Sequence, residues 1–167
     1  MTVQPPASAF RLDTHSEFAR LRSDFMDEFA RLEIAVGRRL KYIDAGFDVR
    51  KHCFDQLVEK LAKAKQGNRL SKRSVADLSS LAEDCEPFQH LRASMAHGAL
   101  EVATTKDGKL AIFRNAADVI HGSDACYALT PAALRRHIKE LAAVTGRVEA
   151  LSPSLPLPRA PGAKAGP

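Results

Sequence analysis

The chain has 167 residues and carries 25 lysines and arginines against 20 aspartates and glutamates, so its formal charge is +5 with histidine neutral. With 45% hydrophobic and 27% charged residues, its composition excludes a disordered or collagen-like chain. We expect one domain and no second large one, since about 150 residues can bury roughly 70% of the unfolded surface. No apolar run approaches the roughly 20 residues that cross a bilayer, and the N-terminus lacks the pattern of a secretory signal. These features predict a cytoplasmic protein that has no membrane partner.

Three cysteines, Cys53, Cys85 and Cys126, form an odd set without a C-x-x-C pair. This pattern is typical of reduced thiols in the cytosol rather than of a disulfide framework. His52 beside Cys53 and His90 after Cys85 lack the paired spacing of a structural zinc site. We therefore predict no metal site and no cofactor, and we interpret the cysteines as buried core residues.

The first predicted helix runs from about residue 15 to 44 and has the strongest periodicity in the chain. Its apolar residues recur at steps of three and four: Phe18, Leu21, Phe25, Phe29, Leu32, Val36, Leu40 and Ile43. Thr14 with Glu17 resembles a capping box at its start, and Gly46 suits its end. Burial inside the monomer explains this stripe, and a partner helix in a dimer is the open alternative.

Shorter helical patterns follow. A second helix is predicted from about residue 48 to 65. Its inward apolar residues are Phe54, Leu57, Val58 and Leu61. Ser74 with Asp77 then opens a short third helix. Pro87, which suits a first helical turn, opens a fourth helix that Gly98 ends.

The periodicity changes from Leu100 to Arg114, where apolar and polar residues alternate around Lys106-Asp107-Gly108-Lys109 and predict a β-hairpin. Thr130 and Pro131 then cap and begin a last helix, from about residue 131 to 150. The predicted fold class is all-α: an up-and-down bundle of four to five helices with a small β-hairpin appendage after the fourth.

The predicted domain covers residues 15–151. It lies between a flexible N-terminus, residues 1–14, and a tail of residues 152–167. The tail is rich in proline, alanine and glycine and is predicted to be disordered.

The most informative residues lie on the fourth predicted helix. There His90, Ser94 and His97 share one face, because they are four and seven residues apart. Arg92 lies five residues before His97, which on a regular helix means about 140° of rotation and about 7.5 Å of rise. Bringing both side chains onto one phosphate requires that the helix unwinds at Gly98 or that a second copy approaches across a two-fold axis.

An arginine and a histidine at one phosphate are the groups that metal-free RNA cleavage requires. Arginine binds phosphate bidentately and stabilises charge on its oxygens, while histidine exchanges protons near neutral pH. The segment LRASMAHGAL resembles the Arg-x4-His-Gly signature of the HEPN superfamily, the higher eukaryotes and prokaryotes nucleotide-binding domain. The long first helix, the hairpin and the closing helix extend the resemblance to roughly residues 15–150.

The resemblance implies a metal-independent endoribonuclease completed by dimerisation, with Arg92 and His97 as catalytic pair and the ribose 2′-hydroxyl as attacking group. His90 and Ser94 are supporting candidates. It also implies RNA as substrate, a homodimer, a role as a toxin or effector, and an antitoxin or nucleotidyltransferase as partner. Active members usually carry a polar residue after the arginine, where this chain has Ala93. The alternative is therefore a catalytically inactive HEPN-like helical protein that binds RNA or a protein partner.

The second functional signal is a segregated run of charge. Six basic residues follow one another without an acid between them: Lys60, Lys63, Lys65, Arg69, Lys72 and Arg73. Such a cluster can neutralise RNA phosphates through counterion release. A solvated helix end followed by a loop explains the same run, and both interpretations stay open.

Overall fold

The computed structural model describes residues 14–64, 70–115 and 126–151. The helices are α1 (Thr14–Ile43), α2 (Phe54–Ala62), α3 (Lys72–His97) and α4 (Pro131–Ala150), with a 3-10 turn at Val49–Lys51. The strands are β1 (Gly98–Thr105), β2 (Gly108–Asn115) and β3 (Tyr127–Leu129). Residues 1–13 and the tail of residues 152–167 lie outside the described residues. The flexible N-terminus and the disordered tail therefore stay predictions.

The all-α prediction is wrong, because the strands form a three-stranded sheet. Helix accounts for 72% of the described residues, but β1, β2 and β3 pair antiparallel in that order. The predicted hairpin is present as β1 and β2, and β3, which the periodicity does not predict, adds a third strand to it. The described fold is therefore helix-dominated with an antiparallel sheet, and not a helical bundle with a hairpin appendage.

The first and last helices agree with the sequence pattern. Every member of the apolar stripe of α1 is buried except Ile43, which is partly exposed. At the start of α4, the Thr130 hydroxyl accepts a hydrogen bond from the Ala133 amide at 3.1 Å, as the cap prediction requires. Periodicity and capping therefore located both helices to within a residue of their observed bounds.

The second helix is shorter than predicted. The Asp48 carboxylate accepts a hydrogen bond from the Arg50 amide and caps the 3-10 turn. The backbone is then extended at His52 and Cys53, so α2 begins only at Phe54. The inward apolar residues of α2 are all buried, as predicted.

The third and fourth predicted helices are one helix, α3, with Pro87 in its interior. The helix begins early, where the Ser71 hydroxyl accepts a hydrogen bond from the Ser74 amide. Proline in a helix interior removes one backbone hydrogen bond and crowds the preceding turn. Buried residues continue on one face through the proline: Leu78, Leu81, Cys85, Phe88, Leu91 and Met95. We infer that burial of this continuous face offsets the cost of the proline.

The chain divides into two compact units, and each contains buried hydrophobic residues. Unit 1 combines Met1–Arg31 with Glu86–Ala142, and unit 2 combines Leu32–Cys85 with Ala143–Pro167. The described core of unit 1 contains Phe18, Leu21, Phe25, Phe29, Phe88, Leu91, Met95, Ala111, Phe113, Leu134 and Leu141. The described core of unit 2 contains Leu32, Val36, Leu40, Phe54, Leu57, Val58, Leu61, Leu70, Leu78, Leu81, Cys85, Val144 and Val148. The domain predicted over residues 15–151 stays a prediction.

The length and hydropathy of the helices can be compared with the requirements of a membrane span. Among the described residues, none of them combines the length and the apolar character needed to span a bilayer.

Candidate active site

Arg92 lies on α3 in unit 1 and is half-buried against an aromatic ring. Its guanidinium carbon is 5.7 Å from the centre of the Phe29 ring of α1, within the range of a cation–π interaction. Phe29 is itself buried, so the ring is a fixed platform. The Nε atom of Arg92 is buried and has no hydrogen-bond partner in the described part of the chain. The platform therefore orients the guanidinium without using its N–H donors.

No carboxylate within the described ranges neutralises Arg92 through an ion pair. Asp84 and Glu86 precede Arg92 on the same helix, but at eight and six residues they lie beyond the three or four residues over which helical side chains pair. Asp84 instead forms an ion pair with Arg147, while Glu86 is exposed. A guanidinium that keeps donors free of an internal carboxylate can bind an external phosphate.

His97 is exposed and is the last residue of α3. The next residue, Gly98, already belongs to β1, so the chain passes from helix to strand without a loop. A Cβ atom at Gly98 would lie 2.3 Å from the carbonyl oxygens of both Ser94 and Arg114. Only glycine fits this contact, and the pairing of Gly98 with Asn115 in the β1–β2 ladder holds the backbone that follows His97. The route in which the helix unwinds to free His97 finds no support, because α3 stays helical through His97.

The structure does not bring Arg92 and His97 together within one chain. Because α3 is helical from one to the other, their side chains leave the helix about 140° apart. Arg92 packs on Phe29, whereas His97 is exposed. A shared phosphate would therefore need an Arg92 and a His97 from two copies of the chain.

The two supporting candidates have different environments. His90 is exposed, like His97. Ser94 is buried, with 5% of its surface exposed, so the prediction that it shares their solvent-facing surface is wrong. Ser94 follows Leu91 by three residues and precedes Met95, and these two core residues carry it to the buried side of α3.

The sheet places Arg114, a residue that the sequence analysis missed, beside the end of α3. The register pairs Arg114 with Ala99, two residues after His97, and the Arg114 side chain is exposed. The turn occupies Lys106 and Asp107, one residue earlier than the Asp-Gly pattern suggests, and Gly108 supplies the positive φ of 126°. With the turn placed at Lys106 and Asp107, the hairpin register alone predicts that Arg114 lies near the candidate site.

The predicted RNA-binding cluster is partly described. Lys65 and Arg69 lie outside the described residues. The members within them are exposed: Lys60, Lys63, Lys72 and Arg73. Lys63 forms an ion pair with Glu59, and its hydrogen bond lowers the pKa of that carboxyl. The cluster is therefore solvent-accessible, but part of its charge is neutralised.

An aromatic pair adjoins this cluster in unit 2. The rings of Phe47 and His52 stack with their centres 4.8 Å apart and their planes inclined by 6°. The Lys60 ammonium lies 5.7 Å from the centre of the Phe47 ring, and both rings are partly exposed. Aromatic rings beside cations are the usual elements of single-stranded nucleic-acid binding. The sequence pattern missed the pair because the 3-10 turn at Val49–Lys51 brings its members together.

Only Cys85 of the three cysteines is buried, so the prediction of buried thiols is wrong for Cys53 and Cys126. Burial raises the pKa of Cys85 to about 12, and the neighbouring Asp84 carboxylate adds to the shift. In the part of the chain that the structure describes, no group of three or more His, Cys, Asp or Glu residues could hold a metal ion.

This difference predicts the reactivity of the thiols. With a pKa of about 12, roughly one Cys85 thiol in ten thousand is ionised at pH 8, and the side chain is shielded from solvent. An aromatic disulfide reagent at pH 8 should therefore modify Cys53 and Cys126 quickly, and Cys85 only after denaturant is added. Mass spectrometry of the labelled peptides checks the assignment. Rapid labelling of Cys85 in the native protein would contradict the described core.

Comparison with known proteins adds no assignment: no family model, no curated protein and no solved structure matches the chain. The HEPN resemblance stays a prediction from the motif.

Proposed function

We propose that the protein is a metal-independent endoribonuclease of HEPN type that cuts RNA at a site completed by dimerisation. Arg92 of one copy binds the scissile phosphate and stabilises the charge that builds on its oxygens. His97 of the other copy exchanges a proton with the ribose 2′-hydroxyl or with the leaving oxygen. The 2′-hydroxyl attacks the adjacent phosphorus, the bond to the 5′-oxygen breaks, and a cyclic phosphate end results.

The observation that carries the proposal is the state of Arg92. The guanidinium is held on the Phe29 ring, has no ion pair within the described ranges, and lies on the helix that ends at the exposed His97. The acids that precede Arg92 on α3 do not neutralise it, because Asp84 pairs with Arg147 and both Asp84 and Glu86 lie more than one helical turn away. The exposed Arg114 supports the proposal, because it adds positive charge beside the end of α3.

The proposed biological role rests on the HEPN resemblance. An RNA-cutting dimer would act in the cytoplasm as a toxin or effector, and an antitoxin or nucleotidyltransferase partner would restrain it. The membrane has no part in this proposal.

RNA cleavage in EDTA tests the proposed function. We expect the purified full chain to cut RNA without a divalent metal and to leave 2′,3′-cyclic phosphate ends. Replacing His97 or Arg92 with alanine should lower the rate by about 100-fold to 10,000-fold, because each variant loses a proton donor or the phosphate clamp. Gel analysis of a labelled RNA measures the rate, and mass spectrometry identifies the product ends.

Matched variants serve as controls. His15 and Arg20 are exposed residues of α1 in unit 1, so His15→Ala and Arg20→Ala should cut RNA at the rate of the unmodified chain. Cleavage that depends on added metal, or equal cleavage by His97→Ala, would refute the mechanism.

A second candidate function is RNA binding without cleavage. Two observations favour it: Ala93 offers no side-chain hydrogen bond beside Arg92, and the Phe47–His52 stack adjoins Lys60. The same assay separates the two functions. RNA that is bound but stays intact, with an affinity that falls steeply as salt rises, would establish the second candidate.

A further inference from the structure

Unit 2 contains a buried arginine that the proposed nuclease does not use. Arg39 lies near the end of α1 and is 3% exposed. Its Nε and Nη1 atoms are buried and have no hydrogen-bond partner among the described residues. The guanidinium carbon is 5.2 Å from the centre of the Tyr42 ring, so the cation packs on an aromatic face that accepts none of its in-plane hydrogen bonds.

The environment of Arg39 lacks a compensating anion in the described part of the chain. No acid lies between Glu33 and Asp44 in the sequence, whereas Arg38 and Lys41 add two exposed cations. The acids that follow α1 have other partners. Asp44 accepts a hydrogen bond from the Gly46 amide, and Asp48 pairs with Arg50 and Lys51.

A buried cation without a partner is costly, because it has lost its hydration and gained no opposite charge. Burial lowers the pKa of Arg39, although a guanidinium remains charged at neutral pH. Buried N–H groups are otherwise almost always satisfied, and an exception in a native structure indicates a bound water or ion, a functional role or stored strain. The planar fork of a guanidinium matches the oxygen pairs of carboxylate and phosphate groups.

We propose that Arg39 anchors a buried oxyanion site, in which its unpaired N–H groups donate hydrogen bonds to a carboxylate or phosphate group of a small ligand. The exposed Lys41 attracts the anion toward this end of α1, and the Tyr42 ring holds the guanidinium in place. The site is separate from the residues of the proposed nuclease, and it does not depend on RNA cleavage.

Thermal unfolding of the full chain in different salts tests this site. At an anion concentration ten times its dissociation constant, we expect the Tm to rise by about 3 to 6 °C above its value in chloride of equal ionic strength. Sodium phosphate and sodium acetate are compared, and the one that acts at lower concentration identifies the ligand class. Arg39→Met removes the donors at similar length and should abolish the anion-specific rise.

Arg38→Met is the matched control, because it removes the exposed neighbouring cation and leaves the buried donors. It should keep most of the rise. An equal rise in Arg39→Met would mean that the anions act only as general stabilisers, and no rise above chloride in the unmodified chain would also overturn the proposal.

A direct measurement keeps the test decisive if Arg39→Met does not fold. In the unmodified chain, saturating phosphate or acetate should shift a slowly exchanging arginine Nε–H resonance in a nitrogen–proton NMR spectrum. The Arg39→Gln variant should lack that resonance. Spectra that stay unchanged on addition of both anions would refute the site.

Discussion

A heterodimer of Arg92→Ala and His97→Ala chains is expected to recover about half of the unmodified RNA cleavage, although each variant alone is inactive. If Arg92 of one copy meets His97 of the other, a symmetric dimer has two such sites. In the heterodimer one site loses both groups and the other keeps both. Co-expression with two different affinity tags isolates this species, and the cleavage assay in EDTA measures its rate.

The result depends on the geometry of α3. The two side chains leave the helix in different directions, and the segment that follows His97 is held by the pairing of Gly98 with Asn115 in the sheet. A heterodimer that stays inactive while the unmodified dimer cuts RNA would place both groups of each site in one chain. The control heterodimer, made from two differently tagged Arg92→Ala chains, should remain inactive.

Replacing Gly98 with alanine is expected to destabilise the protein by about 3 kcal/mol, at the upper end of the range for overpacking. The new methyl group would meet backbone atoms and no flexible side chain: the oxygens of Ser94 and Arg114 at 2.3 Å and the Arg114 carbonyl carbon at 2.9 Å. Relief requires that the end of α3 or the start of the β1–β2 pairing shifts. Thermal unfolding should show a Tm lower by about 6 to 12 °C.

Gly146→Ala is the matched control for this prediction. Gly146 lies inside α4 and is exposed, and a Cβ added there would meet no atom within 4 Å apart from the neighbouring backbone of its own helix. Alanine is the better helix former, so we expect this variant to be more stable by about 0.5 to 1 kcal/mol. Equal Tm values for the two variants would contradict the contact at Gly98.

Periodicity predicted the helices well where one face is apolar throughout. The stripe of α1 and the inward residues of α2 are buried as the steps of three and four require. The same steps of three and four would also have predicted one helix through Pro87, because the buried face of α3 continues from Cys85 to Phe88. The local preference of proline for a first turn outweighed it in the prediction, whereas in the structure the continuous apolar face prevails.

The candidate site was harder to predict because it depends on the directions and partners of single side chains. Arg92 and His97 were identified by their motif, but neither the Phe29 platform nor the pairing of Asp84 with Arg147 follows from local pattern. From the sequence alone, Arg39 would be expected to be solvated, because it lies in a basic segment with Arg38 and Lys41. Its position three residues after Val36 nevertheless places it on the buried face of α1.

The contact at Gly98 also affects how related sequences should be interpreted. Steric exclusion by two carbonyl oxygens requires glycine there, whether or not the neighbouring imidazole takes part in a reaction. If the proposed function is correct, His97 is the informative position for distinguishing active from inactive relatives, because only cleavage would require its imidazole.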